Sequence, residues 1–313
     1  MEFSDSKIRG KKEEPSYNPF QHRAVRNRRT SEEDDPDPMV QQQLARLFFF
    51  MRKNRDLQNA RILDWGCGSG FNCGWLKSNS LAGKITGIDI SPATIDLARQ
   101  MFPNCEFLVA DACSENLNIE RERWTHIISC EVLEHVPDMP SFLANIKRHL
   151  SPDGTAFITT PNRLVFSLGH EPSPLNEEHV KELNFDEFLG LLKAHFKQVE
   201  VYGQSFTDSR LLDEWKVDVR SKIQQLREGT RWQRGPSMQQ KLRNVKIIDY
   251  LYGIRALKSM WRYFRWELVG RIHTKYQQLN MRYTYRDFEF STQNLADAVW
   301  FCAIVSNKRE NKL

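Results

Sequence analysis

Residues 61–70 read Arg-Ile-Leu-Asp-Trp-Gly-Cys-Gly-Ser-Gly, an apolar run that carries Asp64 and opens into three glycines on alternate positions, Gly66, Gly68 and Gly70. Glycine lacks a Cβ and takes positive φ freely, so such a turn lets the backbone approach a ligand closely before a helix starts near Asn72. The G-x-G-x-G spacing differs from the dinucleotide fingerprint G-x-G-x-x-G. A carboxylate two residues before the first glycine would repel a pyrophosphate held at the helix N-terminus. It suits a ligand whose near end carries an ammonium and a sulfonium, as S-adenosylmethionine (SAM) does. Asp89 follows the last glycine by about twenty residues, where a carboxylate can accept both hydroxyls of a ribose. Ile90 beside it offers an apolar face for adenine.

These side chains need strands behind them. Arg61–Trp65 and Lys84–Asp89 read as two, Glu106–Ala110 before Asp111 and Ala112 as a third, and Trp124–Cys130 before Glu131 as a fourth. Each acidic residue falls at a carboxyl end, the edge at which open α/β sheets bind ligands. On these motifs the chain resembles the class I SAM-dependent methyltransferases, from about Arg61 to Ser205 and again in the final strand. The resemblance implies a doubly wound, mostly parallel, Rossmann-like sheet of seven strands with the last strand antiparallel at its edge. It also implies that Asp64 lies near the methionine end and that Gly66, Cys67, Gly68 and Gly70 line the cofactor. Asp89 would hold the ribose and Asp111 would face the adenine amino group, with Ile90, Ala112 and Glu131 completing the set. Local roles compete: Asp111 can cap a following helix, and Asp89 can form an Asx turn before Ser91-Pro92.

The stretches Cys130–Asp138 and Thr159-Thr-Pro-Asn162-Arg are similar to the O-methyltransferases of quinone biosynthesis and to those acting on surface-polysaccharide sugars. The acceptor implied is an oxygen on a small molecule or a glycan. The N/D-P-P-Y signature of nucleic-acid amino-methyltransferases is absent, which argues against base N-methylation. Other readings are a membrane-associated quinone-type enzyme, an RNA methyltransferase and a non-catalytic SAM-binding interaction protein. A hydroxyl acceptor must lose its proton, and an imidazole accepts one near neutral pH. His135 directly follows the fourth strand. His179 lies in Asn176–Leu183, which resembles an H-V-x-E-F segment of the polysaccharide group. His179 is the expected base, oriented by Glu178 or Glu171; anchoring its loop to the helix Phe185–Phe196 is the alternative. Glu131, Glu134 and His135 also have metal-ligand types, and on a helical turn the two glutamates would share a face. Two carboxylates at a helix start also suit the dipole alone.

With 313 residues, 40% hydrophobic and 27% charged, the chain has room for one full domain and a substantial addition. Six cysteines without C-x-x-C or zinc-ligand spacing read as reduced thiols in a cytoplasmic protein. Residues 1–38 read as a mobile charged tail whose basic run, His22–Arg29, could touch an acidic partner. Residues 39–206 with 291–313 form the cofactor domain. Residues 207–290 read as a helical insertion in which basic side chains outnumber acidic ones about two to one. Its stripe Ile248, Leu251, Ile254, Leu257, Trp261, Phe264 and Leu268 has helical spacing. A lid over the acceptor site is the first reading of it. Peripheral membrane contact through Trp261–Trp266 is the second. RNA binding is the weakest, since the net charge is only +5.

Overall fold

The computed structural model describes residues 38–54, 57–80, 82–115, 117, 119, 123–170, 176, 178–232 and 284–308. Its strands are β1 (Arg61–Trp65), β2 (Lys84–Asp89), β3 (Glu106–Val109), β4 (Trp124–Cys130), β5 (Leu150–Pro161), β6 (Gln198–Phe206), β7 (Phe288–Ser291) and β8 (Trp300–Ser306). The helices are α1 (Pro38–Lys53), α2 (Phe71–Asn79), α3 (Pro92–Met101), α4 (Met139–His149), α5 (Arg163–Phe166), α6 (Phe185–His195) and α7 (Ser209–Trp232).

The sequence sets several of these boundaries by local chemistry. Ser91 accepts from Thr94 N and Pro92 opens α3, where its missing N–H costs nothing. Asp138 caps α4 through Ser141 N, and Asn184 with Glu187 forms a full capping box on α6. The Ser151–Gly154 segment, with Pro152 and Gly154 as turn formers, interrupts the β4–β5 register: Trp124 pairs Leu150 and His126 pairs Thr155.

The strands run in the order β3-β2-β1-β4-β5-β8-β6-β7. From β3 to β5 all neighbours are parallel, and β8 is antiparallel to both β5 and β6. This α/β, mostly parallel sheet corrects the sequence expectation in two ways. It has eight strands rather than seven, because Phe288–Ser291 pairs with Gly203–Phe206. The last strand is interior rather than at the edge, because its near-continuous apolar run has partners on both sides. The stretch 207–290 therefore ends in a sheet strand, and its described part holds α7, the 3₁₀ turn Tyr285–Asp287 and the start of that strand. The stripe Ile248–Leu268, the segment Trp261–Trp266 and the tail 1–37 lie outside the described residues.

Both faces are covered. Phe142, Leu143 and Ile146 of α4 and Phe188 and Leu192 of α6 pack on one face, with Trp65, Ile127 and Ile158. On the other, Leu44 and Leu47 of α1, Trp75 of α2 and Ile95 of α3 meet Ile62, Ile85 and Phe157. Each such side chain contributes about 1.5–3 kcal/mol on burial. A third cluster joins Trp215, Val219 and Ile223 of α7 to Phe206, Phe288 and Trp300, so α7 is docked where β6 ends and β7 and β8 begin. Among the described residues no helix is long and apolar enough to cross a membrane.

Candidate active site

Since β1 is followed through β2 to β3 on one side while β4 starts the other, the loops after β1 and β4 diverge over the sheet. That divergence is the crevice in which open α/β sheets hold ligands. The turn after β1 is fixed to β2: Gly66 N and Cys67 N both donate to Ile88 O, at 2.9 and 2.8 Å. Gly66 has φ 84° and Gly70 φ 83°. A Cβ on Gly66 would stand 2.6 Å from Val132, and one on Gly70 2.6 Å from Phe107. Side chains are thus excluded there by conformation and by space.

Asp89 ties the turn together. Its Oδ2 accepts from Gly68 N at 3.0 Å and its Oδ1 from Ser91 N at 2.9 Å. The Asx turn is present, and an ionised carboxylate has about four acceptor positions, so two remain for a ligand. Ile90 next to it is 67% exposed and presents its apolar side chain beside the turn. Asp111 is exposed and holds Cys113 N at 2.8 Å. The carbonyl of Ala112 accepts from Asn145 of α4. Burial pushes the Cys67 thiol well above its ordinary range, so it lines the turn as an inert group.

Asp64 is fully buried behind the turn, held by Asn72 Nδ2 at 3.4 Å and Cys73 Sγ at 3.6 Å. Burial lifts its pKa from 3.8 to about 7, against the lowering effect of those two hydrogen bonds. A raised pKa means the folded state keeps a proton that the unfolded state releases. Its stabilising contribution is complete below about pH 4 and is lost as pH rises through about 7. Asp64→Asn, which mimics the protonated form, is expected to flatten that decline. Urea unfolding at pH 4, 5.5 and 7 checks this, and parallel curves for the two proteins would refute it.

At the end of β4 the chain turns sharply, with Glu131 at φ 55°, a position that costs a non-glycine residue energy. Glu131 Oε1 accepts from Thr159 Oγ1 at 3.0 Å and pairs with Arg46 of α1 at 3.2 Å. Arg46 is 1% exposed; it also donates to Gln204 Oε1 at 2.8 Å and to Gln43 Oε1 at 3.2 Å. Gln43 in turn donates to Asn72, the partner of Asp64. An unbroken buried polar chain therefore runs from Glu131 through α1 to the glycine turn. Nothing in the sequence marked Arg46, which sits in an apolar stretch of an amphipathic helix.

The 3₁₀ turn Leu133–His135 follows, and it separates the two glutamates that were expected on one face. Glu131 faces Arg46, whereas Glu134 faces two imidazoles. Val180 N and Lys181 N dock the loop of His179 onto Glu134 O at 2.8 and 3.2 Å. This docking brings His135 and His179 together, with ring centroids 4.8 Å apart. His179 Nδ1 meets Glu182 Oε1 at 2.6 Å, and Glu182 Oε2 accepts from the buried Ser167 Oγ at 2.6 Å. Glu182, and not the side chain of Glu178, is thereby the carboxylate on His179. Glu178 is exposed and uses only its backbone, accepting from His135 Nδ1 at 3.0 Å. Glu171 lies outside the described residues. Glu182 was within reach of sequence reasoning, since it stands three residues after His179. Burial, and then the charge of Glu131, hold the Glu134 carboxyl well above the usual range. Burial first, and the neighbouring His179 second, lower His135 to about 4.

A family model described as "Methyltransferase domain" matches residues 37–262. The chain belongs to that methyltransferase family. Among similar curated proteins is a probable S-adenosylmethionine-dependent methyltransferase of Mycolicibacterium smegmatis, 30% identical over 44% of this chain and 52% of the relative. Another is a ubiquinone biosynthesis O-methyltransferase of Pasteurella multocida, 33% identical over 41% of this chain and 57% of the relative. The chain thus spans about half the length of the curated relatives it matches. Among solved structures, phosphoethanolamine N-methyltransferase 2 of Haemonchus contortus in complex with SAM aligns with a TM-score of 0.47 and 18% identity, over 84% of this chain and 52% of that one.

Proposed function

We propose that this chain transfers the methyl group of SAM to an oxygen of a small-molecule or glycan acceptor. The observation that carries the reading is the placement of two different chemistries on one sheet edge. The glycine turn with Asp89 closes β1 and β2, and the His135–His179 pair with its glutamates follows β4. The sulfonium is itself a good leaving group, so the protein must chiefly align the acceptor and deal with its proton. A carboxylate only accepts hydrogen bonds, so Glu182 places the His179 proton on Nδ1 and leaves Nε2 with a lone pair. That nitrogen is the proton acceptor in this reading. The names of the quinone-pathway relatives support an oxygen acceptor.

Methyl transfer from labelled SAM is to be followed against a panel of catechols, phenols and glycans, with amines as the contrast. His179→Ala is expected to lower turnover at least tenfold while leaving SAM affinity unchanged. Turnover equal to wild type removes His179 from the chemistry, and labelling confined to amines overturns the oxygen-directed reading.

A further inference from the structure

We infer that Glu134, His135 and His179 form a binding site for one divalent transition-metal ion. One ligand atom from each lies within 4.8 Å of the others. Glu134 is completely buried, yet among the described residues its Oε1 has no hydrogen-bond partner, while Oε2 accepts from Thr160 Oγ1 at 3.1 Å. A buried oxygen left without a partner is unfavourable, so the site favours a group that can meet it. What faces it are the Nε2 atoms of His135 and His179, each at 4.0 Å. Both are too distant for a hydrogen bond, so a proton on any one of the three would not satisfy the others.

The tautomers sharpen the point. His135 Nδ1 is bound to a backbone carbonyl and His179 Nδ1 to a carboxylate. Neither partner can donate, so both Nδ1 atoms carry protons and both Nε2 atoms present bare lone pairs. With Glu134 ionised, three acceptor atoms converge on one point, a combination that suits a cation. Fixing the far nitrogen of an imidazole by a carboxylate or carbonyl is also how metal-binding histidines are held. Two nitrogens and one oxygen favour zinc, cobalt or manganese over calcium, and three protein ligands leave positions open for an exchangeable group. Glu131, expected among the ligands, is instead committed to Arg46 and Thr159 through Oε1.

The role of the ion rests on the O-methyl transfer proposed above; its binding does not. Such an ion lowers the pKa of a hydroxyl that coordinates it. His179 would then serve as a ligand, and the proton of the coordinated hydroxyl would pass to solvent water instead of to that ring. Glu182 and the carbonyl of Glu178 hold the two rings, and Thr160 holds the free end of Glu134.

The test is Co2+ titrated into the full chelator-treated chain, followed by calorimetry and by visible absorption, with the demethylated product of SAM titrated into the same samples. The expected result is one saturable site of micromolar affinity or better. Glu134→Gln and His179→Gln should each weaken it at least tenfold, and Glu182→Gln by about tenfold. If Glu134→Gln does not fold, His135→Asn at the half-buried ring gives the same reading. Absence of a saturable site, or affinity unmoved by all of these variants, overturns the inference. Product binding without Co2+ binding removes the ion alone, whereas failure to bind the product removes the cofactor reading itself.

Discussion

Asp89→Ala is expected to weaken binding of SAM and of its demethylated product by at least ~100-fold while the fold persists. Hydrogen bonds to a charged group are worth roughly 1.5–3 kcal/mol each, and the proposed ribose contact contains two of them. The variant also frees Gly68 N and Ser91 N, which Asp89 holds at 3.0 and 2.9 Å, so the glycine turn loses one of its ties to β2. Asp89→Asn keeps one acceptor oxygen and should fall between the two. Calorimetry with NAD as the contrasting ligand reads all three proteins. Undiminished SAM binding by Asp89→Ala would move the cofactor away from this turn, and binding of NAD instead would reverse the choice of cofactor.

The second large effect concerns stability. Arg46→Met deletes a buried guanidinium that meets Glu131, Gln204 and Gln43 at once. Removing one partner of a buried ion pair typically costs about 3–5 kcal/mol, because the remaining charge stays behind uncompensated. Glu131 keeps some solvent contact at 26% exposure, which places the expectation at the lower end of that range. Adding Glu131→Gln to Arg46→Met should recover part of the loss, since it removes the stranded charge. The urea midpoint, with its slope unchanged, measures both. A cost below ~1 kcal/mol would show that the pair behaves as a surface one.

These two residues mark the boundary of what the sequence discloses. Asp89 was legible because strand, glycine turn and carboxylate follow one another within some thirty residues, and each constrains the next. So were the ends of β1, β2 and β4, where apolar runs stop at acidic groups. Arg46 was not legible, because its partners come from β4 and β6, and only the packed fold brings α1 between them. Position of the last strand failed for the same reason. Whether an apolar run lies inside a sheet or at its edge depends on who pairs with it, and β7 was hidden in a stretch read as helical. The histidines were legible as candidates, yet their shared focus on Glu134 depends on the docking of 179–181 onto the 3₁₀ turn.

The interior place of β8 bears on how the chain acquires its shape. On the sheet, β6 touches β8 and β7 but never β5. During synthesis, β1 to β5 can therefore assemble with α2, α3 and α4 early, while β6 waits with exposed edges until residues 300–306 leave the ribosome and wedge between the two halves. Pairing across so long a stretch of chain carries a loop-closure cost and is slow. The nascent protein is most vulnerable to strand-edge aggregation in that interval, and its glycine turn can form before its sheet is closed.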